Sequence, residues 1–189
     1  GKVYKADTIT IAANTTDTGK IITLNSQIAT AILKGKYRLN TVGTGAMQVI
    51  NKYYNLGIKD TVLSKDKWDL NASIIPDSLL FAFVPSLRGS DTITLHASFD
   101  GSAEKLNLLV NAPRVQLGTQ VLDSLNIAAG NAYPENKFLH SATVQRAGTK
   151  SFQLQKTSLN GSIANNDVYA QLNIEDGDGD DKYQLGAKI

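Results

Sequence analysis

The chain has no cysteine. That removes disulfides, thiolate metal sites and cysteine nucleophiles together. It has only two histidines, His96 and His140, and three glutamates, Glu104, Glu135 and Glu175. A glutamate-paired glycosidase therefore has few candidates. No Gly-x-Ser-x-Gly or His-Glu-x-x-His phrase points to a hydrolase. The net charge is +2, with lysines and arginines scattered and no basic run, so electrostatic capture of a nucleic-acid backbone is not expected. No apolar stretch approaches the roughly 18 residues of a membrane-spanning helix. No signal peptide is present either. Gly1 reads as the scar of a removed tag, which leaves room for a signal or lipid-anchor segment ahead of it.

What fills the chain instead is Thr, Ser, Asn and Gly among aliphatic residues, the mixture of exposed strands and turns. Two phrases recur in order. Asp7-Thr8-Ile9-Thr10-Ile11 returns as Asp91-Thr92-Ile93-Thr94-Leu95, and Leu70-Asn71-Ala72-Ser73-Ile74 returns as Leu159-Asn160-Gly161-Ser162-Ile163. Such echoes suggest two copies of one β-unit. The Pro85 to Ser90 link supplies a boundary, giving domains at 1–87 and 88–189.

In the first half, Thr8 to Ala12 and Lys20 to Leu24 read as strands across a polar turn, and Lys34-Gly35-Lys36 as a second hairpin turn. Met47, Ile50 and Tyr54 share a helical face, with Gly57 placed to close the helix. Gly43-Thr44-Gly45 before that helix lacks the remaining residues of a phosphate-binding loop. From Lys59 to Val84 the pattern is β, with Trp68, Leu70 and Ala72 on one face and Leu79 to Val84 as the most buried strand. In the second half, strands are expected at Thr92 to Ser98 and Lys105 to Val110 around Asp100-Gly101-Ser102. Val121, Leu122 and Leu125 suggest a short helix ending at Gly130, followed by a long insertion from Asn131 to Gly148. The expected closing strands run Ser151 to Lys156, Leu159 to Ile163, Asp167 to Ile174 and Lys182 to Ile189.

Two groups of residues have the chemistry of a site. The acidic turn offers Asp176, Asp178, Asp180 and Asp181 at a spacing that can wrap calcium. It departs from the EF-hand pattern, and Asp-Gly is equally a hairpin-turn pair. Trp68, Tyr53 and Tyr54, with Tyr37, are the rings that could stack on sugars. His96 falls within an expected strand, in a structural role. Asn14, Asn71 and Asn160 stand in Asn-x-Ser/Thr triplets, two of them within the repeated phrase.

The segment Asn51-Lys52-Tyr53-Tyr54-Asn55-Leu56-Gly57, followed by Val62-Leu63 and Trp68-Asp69-Leu70, resembles a phrase of Bacteroidetes-type surface lipoproteins. The ending Tyr183-Gln184-Leu185-Gly186-Ala187-Lys188-Ile189 is similar to their closing strand. The resemblance implies tandem β-sandwich domains at the outer membrane, often associated with glycan uptake, and carries over no binding residue. The expected fold is all-β: two tandem Ig-like sandwiches of about seven strands each, with a short helix in each. The expected function is a non-enzymatic, cell-surface or secreted binding protein for polysaccharide or another surface molecule, including adhesion. It needs no cofactor unless the acidic turn takes calcium. The alternative is a structural subunit of a fimbrial-type surface assembly.

Overall fold

Alternation governs most of this chain, and the consequence is one very wide sheet. A computed structural model describes residues 7–54, 56–58, 64–132, 136–165, 167–176 and 178–188. Gly1, Asn55, Lys59, Val62, Leu63, Glu135 and Ile189, named above, lie outside the described residues, as does Gly177 of the acidic turn. The strands are Thr10–Thr16 (β1), Gly19–Asn25 (β2), Ala29–Lys36 (β3), Lys67–Ile74 (β4), Leu87–Ser90 (β5), Ile93–Asp100 (β6) and Lys105–Leu117 (β7). They continue with Gln120–Ala132 (β8), Lys137–Val144 (β9), Arg146–Gly148 (β10), Gln153–Leu154 (β11), Thr157–Ala164 (β12), Asp167–Glu175 (β13) and Asp181–Lys188 (β14). Two short helices, Val42–Asn51 (α1) and Ser78–Phe83 (α2), interrupt them.

The main path runs β1-β2-β3-β4-β6-β7-β8-β9-β12-β13-β14. The all-β class holds. In place of two sandwiches, strands from both halves of the chain join in a single antiparallel sheet. The expected boundary at 87/88 falls inside β5, in the connection between β4 and β6, which are hydrogen-bonded along the whole of both strands, from Lys67↔Asp100 to Ile74↔Ile93.

Register carries across the path without a slip at its centre. One row reads Ile11, Leu24, Ala31, Ala72, Leu95 and Val110, then Ile127, Ala142, Leu159, Leu172 and Leu185. Every member is aliphatic. The next row, on the opposite face, reads Thr10, Asn25, Thr30, Ser73, Thr94 and Asn111, then Asn126, Thr143, Ser158, Asn173 and Gln184. Every member there is an uncharged hydroxyl or amide. Since facing residues of paired strands lie on the same side, period-2 alternation in each strand becomes two chemically distinct faces.

α1 covers one end of the aliphatic face. Its Val49 is fully buried with Tyr37, Trp68, Phe99, Leu106, Phe138 and Ile163, and the Trp68 and Phe99 rings stack with centroids 5.6 Å apart. The helix stops at Asn51, short of Gly57, because the Asn51 side chain folds the chain back. Its Oδ1 accepts from the amides of Leu56 at 3.0 Å and Ile58 at 3.3 Å. Gly35 is the penultimate residue of β3 rather than part of a turn. A Cβ there would stand 2.0 Å from the Lys67 carbonyl oxygen, so glycine permits the close approach of β3 and β4.

Three segments differ in type from the sequence reading. The run from Leu79 to Phe83 is helical and Val84 is its C-terminal cap, since Asp77 caps the start by accepting from the Leu79 amide at 2.7 Å. A short apolar run does not declare its own period. The residues from Val121 to Leu125 belong to the long strand β8, and most of the expected insertion from Asn131 to Gly148 is the end of β8 with β9 and β10. β7 and β8 outrun the main sheet. At Pro113, which lacks an amide donor, and Ser124, with a φ of 56°, the regular pairing is interrupted between Ala112↔Leu125 and Arg114↔Asp123. Beyond that point the two strands pair with β5 and β10, and β10 with β11. α2 packs here, placing Leu80 and Phe81 against Leu87, Ala112 and Val115.

Candidate binding face

Among the described residues neither helix packs on the polar face; both lie against the aliphatic side. At the centre of the polar face an open trough of about 690 Å³ spans β3 to β9. One wall is the hydroxyl-and-amide row from Thr30 to Thr143; the other is the neighbouring row Ile32, Asn71, His96, Leu109, Ala128 and Ser141. Each side chain points here because its strand alternates and its aliphatic neighbours take the other side. Ile32 and Leu109 are exposed and give the trough two apolar spots.

The polar groups are held in place by one another. Asn71 donates from Nδ2 to Asp69 Oδ1 at 2.7 Å, which turns its Oδ1 toward His96 Nδ1 at 2.9 Å. His96 Nε2 lies 3.5 Å from Asp69 Oδ2. Two columns on, Asn111 Nδ2 donates to Asn126 Oδ1 at 2.7 Å, and Asn126 Nδ2 to the Ser124 carbonyl at 3.1 Å. Along β13, Tyr169 donates to Gln171 at 2.8 Å and Gln171 to Asn173 at 3.1 Å. Fixed side chains of this kind are pre-organised for a ligand that both donates and accepts.

Beside the trough, at the β1–β2 turn end, Lys34, Lys36, Lys67 and Lys105 surround a second hollow of about 600 Å³ with Asp69 and Asp100. Lys67 pairs with Asp100 at 2.9 Å. Its hydrogen bond and the Ala103 amide hold the Asp100 carboxyl below the usual carboxylate range.

The rings singled out from the sequence are elsewhere. Trp68 and Tyr53 are buried in the core under α1, with Tyr37 beside them. Tyr54 is half-buried, edge-on to Phe138. The structure therefore brings Trp68, Tyr53 and Tyr54 together, on the aliphatic side of the sheet. In the acidic turn, Asp176 Oδ1 accepts from the amides of Asp178 at 3.0 Å and Asp180 at 3.1 Å. Among the described residues no three acidic or histidine side chains converge as a metal site would require. His140 lies on the aliphatic face over Gly161, where a Cβ would stand 2.3 Å from its Nε2. The two histidines are thus on opposite sides of the sheet. The sequence reading singled out neither the polar rows nor the Asp69-Asn71-His96 group. The signal was present in the alternation, as Thr, Asn and Ser at every second position of successive strands, but the alignment of those positions depends on pairing.

Compared with family models, curated proteins and solved structures, the chain matches none.

Proposed function

We propose that this is a non-enzymatic binding protein of the cell surface or extracellular space, whose polar sheet face takes a polysaccharide, in uptake or adhesion. The observation that carries the reading is the unbroken hydroxyl-and-amide row, its members exposed or half-buried and repeated at the strand spacing of about 4.8 Å. A glycan presents hydroxyls that donate and accept along an extended chain. Ser, Thr, Asn and Gln side chains answer both roles without requiring a charge. Ile32 and Leu109 offer contact to the apolar C–H faces of sugar rings, and the lysine hollow extends the face toward acidic sugars. A long open trough suits a chain rather than a small molecule, which favours an enclosed pocket. His96 is oriented by Asn71 and Asp69 as a hydrogen-bonding group, so the reading assigns it to recognition and needs no cofactor.

Affinity electrophoresis through gels containing neutral or acidic polysaccharides tests this. Retardation is expected in at least one gel. Asn71→Ala and Asn111→Ala should each weaken it by about fivefold, the loss of one hydrogen bond worth about 1 kcal/mol. Free migration in every gel, or retardation indifferent to both substitutions, would end the proposal.

A further inference from the structure

β14 is an edge of the main sheet, and all of its residues are exposed. Among the described residues nothing pairs with its outer side, so a row of backbone donors and acceptors stands open. The usual protections are thin. The strand has no proline, its lysines are confined to Lys182 and Lys188, and Tyr183 and Leu185 are 58% and 65% exposed on the aliphatic side.

Among the described residues the main path contains eleven strands, all paired antiparallel. Because that number is odd, β1 and β14 run in the same direction. Joining β14 to β1 of a second copy, with aliphatic faces on one side, makes a parallel junction. Joining β14 to β14 about a twofold axis normal to the sheet keeps the pairing antiparallel and keeps both aliphatic faces together.

Register narrows the choice further, since facing residues must share a side. With Gln184 on the axis, Tyr183 of each copy faces Leu185 of the other, and Lys188 comes against the Asp180–Asp181 corner. With Leu185 on the axis, Lys182 would meet Lys188. With Tyr183 on the axis, Leu185 would meet the acidic corner. Aromatic–aliphatic and opposite-charge pairs stabilise cross-strand contacts, and like charges oppose them. We propose that β14 is a dimerisation edge for a second copy of this chain, with Gln184 at the twofold axis. β1 carries no charged residue within Thr10–Thr16, so nothing of this kind fixes a register there. The proposal is independent of any ligand; its effect is to place two troughs on the same side of one joined sheet, with six strands between them.

The absence of cysteine makes the test clean. Facing residues of antiparallel strands have Cα atoms about 4.5–5.5 Å apart, within the span of a disulfide. Gln184→Cys should therefore give a disulfide-linked dimer under mild oxidation. Lys182→Cys, whose two thiols would be four residues apart along the edge, roughly 13 Å, should remain monomeric on the same gel. By light scattering the unmodified protein should approach twice the chain mass as concentration rises, and Leu185→Lys should return it to a monomer with an unchanged circular-dichroism spectrum. Equal crosslinking of the two cysteine variants, a monomer at every concentration, or masses that grow beyond the dimer would each overturn the proposal.

Discussion

Trp68 shows how much a single residue's pattern can reveal. Its alternation with Leu70 and Ala72 places it on the aliphatic side, and the structure buries it there against Phe99. Trp68→Ala should cost about 3–5 kcal/mol, as large-to-small changes in a packed core do, and urea titration followed by circular dichroism would measure it. Gly35 was not legible in the same way. In sequence it is a turn residue between lysines, and only the pairing of β3 with β4 shows why no side chain fits. With a φ of 144° and the Lys67 carbonyl in the way, Gly35→Ala should destabilise the protein by about 1–3 kcal/mol, measurable in the same titration. Asp66 depends on a partner distant in sequence. Burial pushes its carboxyl up, but the hydroxyls of Thr41 and Ser64, with the backbone amide and charge of Arg38, outweigh that and hold it below the usual range. A carboxyl depressed on folding adds stability above its unfolded value of about 3.9 and loses it as pH falls through the folded value. Asp66 and Asp100 both have this sign. The urea midpoint should thus lose their contribution as pH falls below about 4, and Asp66→Asn should make that decline shallower.

At the scale of elements, strands of clear alternation were legible and short apolar runs were not. β4, β12 and β13 lie where the periodicity puts them, and Asp100 organises the β6–β7 turn by accepting from the amides of Ser102 and Ala103. Leu79 to Val84 went the other way because a cap decided what hydrophobicity could not. Asp77 holds the start of α2, and the Leu79 amide lowers its carboxyl below the ordinary range. Asp77→Ala should lower the thermal midpoint, and Asp77→Asn, which also caps well, should restore most of it. The acidic turn allows a comparable test. Asp176 is engaged by the turn's own amides, so melting with calcium or with chelator should give the same midpoint. A rise with calcium would show a bound ion, since a ligand of the native state stabilises it.

For the whole molecule, the recurring phrases acquire a different meaning. Thr10 and Thr94 stand in one row, as do Ile11 and Leu95, with β1 and β6 four strands apart. The second echo links β4 and β12, five strands apart and so opposite in direction. No single shift of the sheet superimposes both pairs. Each phrase is what an alternating strand between a polar and an aliphatic face looks like, and the shared faces account for the likeness. Because β4 and β6 are continuous neighbours, thermal unfolding should show one transition by calorimetry, and chains cut at 87/88 should fold only when mixed. A second resolved transition, or independent folding of either piece, would contradict a single cooperative sheet. The aligned rows also bear on how such a chain can change over generations. Letters within each chemical class can be exchanged freely, whereas spacing cannot. Deleting one residue midway along β4 would invert everything beyond the gap, sending amides under α1 and aliphatic groups into water. Gains and losses of length should therefore collect at the hairpin tips, leaving kinship visible in the distances between turns long after it has faded from the residues themselves.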